Sequence, residues 1–136
     1  MILAERFARA AEALEGTPFR LHGRRPETGL DCIGLVACAL ADCGQAVAAL
    51  QGYALRNTEI DRHLGFAARN GFQPTKGSTL RGDLLLVVPG PAQHHLLVSL
   101  GGATCIHAHA GLRRVVRQPQ PRDWPVMRHW RLVDLA

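Results

Sequence analysis

A cysteine and two histidines follow one another in an order that suits nucleophilic catalysis. Cys32 lies in the stretch TGLDCIGLVACALADCG, where an amphipathic helix is predicted to begin, and His95 and His107 come later in the chain. A helix N-terminus and a nearby imidazolium both favour the thiolate, which is the reacting form of cysteine. We therefore predict Cys32 as nucleophile, His95 as general base and then general acid, and His107 as the residue that orients the His95 ring.

The two histidines fall on predicted strands, His95 in HLLVSL and His107 in TCIHA, joined by a tight Gly-Gly connection. Neighbouring antiparallel strands can place such side chains next to each other on one face of a sheet. The helix that begins at Cys32 would pack against that sheet, and its first backbone N–H could form part of an oxyanion hole. His94, directly beside His95, is a second candidate for the base.

Each of these residues also has a purely structural interpretation. A cysteine taken alone is more often a small buried hydrophobic residue than a nucleophile, and a single strand histidine is more often a hydrogen-bonded structural residue. Asp31 is most simply the side chain that caps the helix by accepting a backbone N–H bond. The other three cysteines are predicted to be packing residues: Cys38, Cys43 and Cys105.

The histidine-rich stretch over 94–109 allows a metal site as a rival interpretation. Cys105, His107 and His109 alternate along one predicted strand, so their side chains would share a face. Together with His94 or His95 they could supply the four ligands of a zinc ion. Because the spacing matches no established zinc motif, we predict no metal and no cofactor.

The composition indicates a single globular domain that spans residues 1–136. Hydrophobic residues make up 47% of the chain and charged residues 20%, which excludes a disordered protein. The formal net charge is +5, which favours either a solvated basic surface or an anionic partner. The basic residues are scattered arginines with one lysine, and no nucleic-acid-binding motif is present, so nucleic-acid binding is not expected.

The N-terminal stretch MILAERFARAAEALEG carries charges at positions 5, 6 and 9, and these interrupt any apolar core. We therefore expect no signal peptide, synthesis in the cytoplasm, and another route of delivery if the substrate lies outside it. No apolar run approaches the roughly 18 residues of a membrane-spanning helix, so none is expected. The four cysteines include no CxxC pair and are expected to be free thiols in a reducing compartment.

The hydrophobic periodicity is helical in the first half of the chain and strand-like in the second. Helices are predicted over 2–15, from Asp31 to a cap at Gly44, and over 57–71, where Thr58 and Asp61 have the spacing of a capping box. Strands are predicted over 83–88, 95–100, 104–108, 113–117 and 130–135. Helices before strands favour an α+β fold in which the helices pack on one antiparallel sheet.

Three segments in this order resemble the NlpC/P60 family of papain-like cysteine peptidases. GTPFRLHG and GLDCIGLV, within 16–36, are similar to the family's G-T-P-Y loop and its D-C-S-G-[LF]-V nucleophile motif. RGDLLLVV, over 81–88, is similar to its G-D-L strand, and HLLVSLGGATCIHA, over 95–108, to its H-V-G-I-Y-L-G and I-H-A segments. The twelve-residue step from His95 to His107 matches the family's later two catalytic positions, which favours His95 over His94 as the base.

The resemblance implies a papain-like fold and the catalytic roles already predicted for Cys32, His95 and His107. It also implies hydrolysis of amide bonds in the stem peptides of bacterial peptidoglycan, often between D-glutamate and a diamino acid, without a cofactor. The short chain and DCIGLV are most similar to the phage and gene-transfer-agent branch, whose domains sit on tail tips. Tail proteins are therefore expected partners, and a tail particle is the expected location.

The chain departs from the family pattern at three positions around the predicted site. Phe19 stands where the family has a tyrosine whose hydroxyl is commonly near the nucleophile, Ile33 where it has serine, and Leu97 where it has glycine. We assign Phe19, Asp31 and Ile33 to the substrate-binding or oxyanion region. The changes at 19 and 97 also favour an alternative function, a weakly active or inactive structural or adaptor module of a phage-tail-like assembly.

Overall fold

A computed structural model describes residues 2–48 and 59–134 and confirms the predicted α+β architecture. Helix α1 spans Leu3–Glu12, α2 spans Cys32–Asp42 and α3 spans Glu59–Arg69. The strands are β1 (Arg24–Arg25), β2 (Gly29–Leu30), β3 (Phe72–Pro74), β4 (Leu84–Val87), β5 (His95–Gly101), β6 (Thr104–His109), β7 (Arg114–Pro119) and β8 (Val126–Leu132). Within the described part of the chain, none of the helices has the length and hydropathy needed to cross a membrane.

The predicted elements differ from the structure mainly at their ends. Helix α1 stops at Glu12, and turns carry the chain on to Gly16, where the helix was expected to end. The last strand begins at Val126, earlier than predicted, because its pairing with β4 extends it in that direction. The strands β1, β2 and β3 are too short to produce a periodicity in the sequence. Thr58, and with it the predicted capping box, lies outside the described residues.

One six-stranded antiparallel sheet has the strand order β3-β8-β4-β5-β6-β7. Strands β5 and β6 form a hairpin in which Val98 lies opposite Ile106. Its two-residue turn, Gly102 and Ala103, has positive φ at both positions (58° and 61°), which matches the twist of the flanking strands. This hairpin carries both predicted histidines, since His95 begins β5 and His107 lies within β6.

The two faces of the sheet bury different clusters of side chains. The face that packs against α1 and α2 contributes to the main core, where β5 and β6 supply Leu96, Val98, Leu100, Ile106 and Ala108. The opposite face buries a smaller cluster, made of Leu85, Val87, Leu97 and Cys105 with Trp124 packed against it. His95 and His107 each lie two residues from a member of the smaller cluster on the same strand, so they share its face.

Helix α2 begins at Cys32 because the side chain of Asp31 caps it, as predicted. Its Oδ1 accepts a bond of 2.8 Å from the backbone N–H of Gly34 and one of 2.6 Å from Arg24. Its Oδ2 accepts a bond of 3.0 Å from the backbone N–H of His22. One carboxylate therefore joins the first turn of α2 to the loop that precedes it.

Glycines allow that loop to lie directly against α2. A Cβ on Gly34 would collide with the carbonyl oxygen of Gly23, and a Cβ on Gly23 would collide with the carbonyl oxygen of Gly29. The glycine two residues after Cys32 is therefore required by a close approach of two backbones. At the far end, Gly44 takes a left-handed conformation (φ 93°) and ends the helix, as predicted.

Asp83, from the RGDLLLVV segment, ties β4 to the neighbouring strand β8. Its carboxylate is 1% exposed and accepts two bonds of 3.0 Å from Arg131 and one of 2.7 Å from Nε2 of His129. Burial alone would raise the pKa of Asp83, but the bonds from Arg131, the Leu80 backbone N–H and His129 keep it below its ordinary value. This buried ionic group therefore joins two neighbouring strands of the sheet.

Candidate active site

Elements from both halves of the chain enclose a cleft of about 630 Å³. It lies where the start of α2, helix α3, the β5–β6 hairpin and the segment before β8 meet. Such a cleft is large enough for part of a peptide and is the usual form of a substrate site. The lining residues that matter most to the chemistry are Cys32, His63, His94, His95, His107 and Trp124.

Cys32 occupies the first position of α2 and is half-buried, and it lines this cleft. Its Sγ lies 3.6 Å from Nε2 of His63, within hydrogen-bonding range for sulfur. The thiol also stands at the positive end of the helix dipole, which favours its ionised form. The structure therefore places the predicted nucleophile where a thiolate can be stabilised and a substrate can reach it.

His63 is a site residue that the sequence did not lead us to predict. It lies on α3, its side chain is 4% exposed, and it lines the cleft. Phe66 and Asn70 follow it at helical spacing and are buried as well, so His63 belongs to the inward stripe of an amphipathic helix. A titratable residue on the inward face of a predicted amphipathic helix is the sequence signal that could have identified His63.

His95 and His107 are joined by a hydrogen bond. Nε2 of His95 lies 2.8 Å from Nδ1 of His107, and the rings meet edge to face with their centroids 5.0 Å apart. When His95 donates this bond from Nε2, its Nδ1 is the nitrogen that can accept a proton. His107 is 1% exposed, so its ring is held firmly by the surrounding protein. The structure thus brings these two predicted residues within hydrogen-bonding distance of each other.

Both rings of this pair are neutral at neutral pH. The pKa of His95 is lowered to about 3, mainly by burial and to a smaller extent by the nearby rings of His107 and His63. Burial also lowers the pKa of His107 to about 4, although Gln118 acts in the opposite direction. Nε2 of His107 is buried without a hydrogen-bond partner of normal geometry among the described residues. A neutral His95 can accept a proton, and a neutral His107 can accept the bond from it.

Trp124 is the second site residue that the sequence did not indicate. Its ring meets those of His95 and His107 edge-on, at centroid distances of 6.2 and 5.7 Å, and it lines the cleft. It also packs against the smaller cluster, in which Leu97 is fully buried. Leu97 is not among the residues that line the cleft, so its side chain does not narrow the site.

The residues assigned to the substrate-binding or oxyanion region, Phe19, Asp31 and Ile33, all line the cleft. The two carboxylate oxygens of Asp31 are engaged by the helix cap, the loop and Arg24, so its contribution is to hold α2 in place. His94 also lines the cleft, and its Nδ1 is buried without a hydrogen-bond partner among the described residues. The histidine bonded to His107 is therefore His95.

The remaining cysteines lie outside the lining of the cleft. Burial raises the pKa of the Cys38 and Cys43 thiols, and it raises the pKa of Cys105 to about 11. All three are thus poorer nucleophiles than an ordinary cysteine at neutral pH. Among the described residues, no group of three or more His, Cys, Asp or Glu side chains is arranged to hold a metal ion, so the zinc alternative gains no support.

Comparisons with known proteins agree with the fold. A model of the NlpC/P60 family matches residues 16–128, a range that contains the cysteine and all of the histidines that line the cleft. No curated protein matches the chain. The similarity is therefore to a family and to solved structures.

Three solved structures illustrate that similarity. NlpC2 from Trichomonas vaginalis is 20% identical with a TM-score of 0.71, over 94% of this chain and 46% of its own. The P60 domain of an antigen from M. avium subspecies paratuberculosis is 22% identical with a TM-score of 0.64, over 96% of this chain and 95% of its own. The peptidoglycan hydrolase RipB from Mycobacterium tuberculosis is 23% identical with a TM-score of 0.65, over 96% of this chain and 65% of its own. At such identities the fold is what is shared, and the chain spans about half the length of the first of them.

Proposed function

Because the chain belongs to the NlpC/P60 family, we propose that it is a cysteine-type hydrolase that cleaves amide bonds in the stem peptides of peptidoglycan. One observation carries the proposal: Cys32, at the N-terminus of α2, lines the same cleft as the hydrogen-bonded pair of His95 and His107. RipB, which shares the fold, is described as a peptidoglycan hydrolase.

The reaction begins with transfer of the Cys32 thiol proton to Nδ1 of His95. Nε2 of His95 lies 2.8 Å from Nδ1 of His107, and in the tautomer that donates this bond from His95, Nδ1 of His95 can accept the proton. Because the pKa of His107 is lowered to about 4, it stays neutral and can accept the bond from a charged His95 without repulsion. The lowered pKa of His95 also makes its imidazolium ready to pass the proton on.

The thiolate then attacks the carbonyl carbon of the scissile amide, and the carbonyl oxygen becomes negatively charged. The backbone N–H of Cys32 is in the first turn of α2, at the positive end of the helix dipole, and we assign it as a donor to this oxyanion. When the C–N bond breaks, the amine leaves with the proton from His95, and the acyl group remains on Cys32 as a thioester. A water molecule, deprotonated by His95, attacks the thioester, releases a carboxylate and restores the thiol.

The charge of the cleft fits a substrate that carries carboxylates. Arg62 lines it, as does the ion pair of Arg24 and Asp31, so the charged groups Arg24, Asp31 and Arg62 leave a net positive charge there, and the whole chain has a net charge of +5. A stem peptide presents free carboxylates on D-glutamate and on the diamino acid, so the basic lining attracts it and holds it in position. We therefore propose the bond between D-glutamate and the diamino acid as the one that is cleaved.

The alternative, an inactive adaptor module, calls for a site that is closed or filled by its own side chains. The cleft is open beside Cys32, and Leu97 lies outside its lining, so among the departures only Phe19 still favours the alternative. The proposed tail partners and tail-particle location rest on the sequence alone, because none of the relatives named above is described as a tail protein.

The test is digestion of purified peptidoglycan by the intact chain, with the released fragments identified by mass spectrometry. The parent should release fragments that begin with the diamino acid, and Cys32→Ala should release none. Cys43→Ala removes a thiol outside the cleft and should digest as the parent does. Digestion by Cys32→Ala at the parent's rate contradicts the proposal, whereas a folded but inactive parent supports the adaptor alternative.

A further inference from the structure

We propose that His63 is a second catalytic imidazole, whose Nε2–H donates a hydrogen bond to the reacting centre of Cys32. The bond is made first to the thiolate and then to the oxyanion that forms beside it. The inference rests on the proposed function, since it gives His63 a role in that same reaction. It goes beyond the three residues to which the sequence led.

The first observation is the contact itself. Nε2 of His63 lies 3.6 Å from Sγ of Cys32, and the side chain of His63 is 4% exposed. A buried imidazole is costly unless its polar atoms have partners, and here one ring nitrogen faces the nucleophile. His63 is carried by α3, whereas His95 and His107 are carried by the β5–β6 hairpin, so separate parts of the fold present imidazoles to one cleft.

The second observation distinguishes a donor from a base. His95 already has the orienting partner that a general base needs, in Nδ1 of His107 at 2.8 Å. His63 is close enough to His95 to lower its pKa, so positive charge on both rings at once is disfavoured. A neutral His63 carries a single N–H. A neighbouring thiolate favours the tautomer with that hydrogen on Nε2, because a charged acceptor strengthens the bond.

The third observation concerns the oxyanion. This oxygen is bonded to the carbon that Sγ attacks, so it forms within two bonds of the sulfur. A hydrogen-bond donor must lie roughly 2.7–3.1 Å from the oxyanion. Nε2 of His63 lies 3.6 Å from Sγ in the resting protein, so it can come within that distance of the oxyanion. The backbone N–H of Cys32 is one donor, and Phe19, which lines the same cleft, has no hydrogen-bonding atom in its side chain to act as another. His63 supplies the second donor.

The first experiment compares His63→Leu, which removes the donor, with His63→Gln, which keeps an N–H but cannot act as a base at neutral pH. With a soluble stem peptide as substrate, kcat of His63→Leu should fall about 100-fold while KM changes by less than about 3-fold. His63→Gln should keep at least about a tenth of the parent's kcat. Arg69→Leu alters an exposed residue at the end of the same helix and should match the parent.

Two kinetic outcomes overturn the proposal. If His63→Leu turns over as fast as the parent, His63 does not assist the reaction. If His63→Gln loses as much activity as His63→Leu, the ring acts as a base and not as a donor.

A second readout needs no peptidoglycan, so it separates this inference from the proposed function. Alkylation of Cys32 by iodoacetamide at neutral pH, followed by mass spectrometry, reports how well the thiolate is stabilised. His63→Leu should react several-fold more slowly than the parent, and an equal rate overturns the donor role. If the parent leaves peptidoglycan intact, the proposed function fails, and the alkylation rates still decide whether His63 stabilises the sulfur.

A measurement on the parent covers the case in which the variants fail to fold. The ¹⁵N chemical shifts of labelled histidines distinguish a ring with its hydrogen on Nε2 from one with its hydrogen on Nδ1. The proposal expects the Nε2–H tautomer at His63. A spectrum that shows the Nδ1–H tautomer there, with Nε2 unprotonated, overturns it.

Discussion

Nε2 of His95 lies 2.8 Å from Nδ1 of His107, across the two strands of one hairpin. Burial keeps both rings neutral at neutral pH, because it lowers the pKa of His95 to about 3 and that of His107 to about 4. A charged His107 could not accept the bond and would repel a proton on His95. Burial therefore keeps the pair in the neutral state that the proposed roles of His95 as base and His107 as its acceptor require.

Removing the acceptor should lower turnover and change its pH dependence. In His107→Ala, His95 loses the bond that holds its ring, so kcat should fall roughly 10- to 1,000-fold. His95 also loses burial and a neighbour that lower its pKa, so the acid limb of kcat/KM should move up toward the ordinary value of 6.5. The rate of stem-peptide cleavage as a function of pH measures both effects.

His107→Asn is the control for this prediction, because its amide oxygen can still accept a bond from His95. The His107→Asn variant should have a kcat between those of the parent and His107→Ala. The acid limb of its kcat/KM profile should also lie at a pH between theirs. A lowered kcat with the acid limb unmoved would mean that His107 does not set the pKa of His95.

Because their pKa values are lowered in the folded protein, His95 and His107 should make the fold less stable at mildly acidic pH than at neutral pH. In the unfolded chain each ring takes up a proton near pH 6.5, but in the folded protein the pKa values are about 3 and about 4. The unfolded state thus binds more protons in this window, so the free energy of unfolding falls as pH falls below 6.5. The slope for each ring is at most about 1.4 kcal/mol per pH unit.

Urea unfolding at a series of pH values between about 7.5 and 4.5 measures that slope. The ion-paired carboxylates of Glu5, Glu12 and Asp83 have lowered pKa values and act only at still lower pH. His107→Leu should show a shallower slope than the parent, because one buried neutral ring is gone. A parent whose free energy of unfolding stays constant over this range would contradict the prediction.

Loss of the Asp31 carboxylate should destabilise the protein through α2. Asp31→Ala removes the cap on Gly34 and the partner of Arg24, so the free energy of unfolding should fall by roughly 1–3 kcal/mol. Asp31→Asn keeps an oxygen for the cap and should lose less. Urea unfolding at neutral pH measures the difference, and Asp42→Ala, an exposed change at the other end of α2, is the matched control. Equal stability of Asp31→Ala and the parent would show that the cap is unimportant.

Much of the candidate site could be predicted because its signals are local. Asp31 and Gly44 limit α2 through cap interactions that involve only neighbouring residues, and they place Cys32 at the helix start. His95 and His107 lie on one hairpin, so a separation of 12 residues is enough to bring them together. Motifs within short segments also carried the resemblance to the NlpC/P60 family, which the family model confirms over 16–128.

His63 and Trp124 could not be predicted in the same way. The contact between His63 and Cys32 joins residues 31 positions apart on two helices, and it exists only because both helices border the same cleft. Trp124 reaches the histidine pair from the segment before β8, across the smaller cluster. Such contacts depend on how the elements pack, and neither periodicity nor capping contains that information.

By itself, the sequence determined the α+β class, the order of the longer elements and the candidate residues Cys32, His95 and His107. Only the tertiary structure decided which histidine is bonded to His107, which imidazole touches the sulfur, and that Leu97 lies outside the cleft. The physical reason is one of range. Helix caps and strand alternation act over a few residues, whereas a hydrogen bond or a lowered pKa depends on atoms that folding brings within a few ångströms.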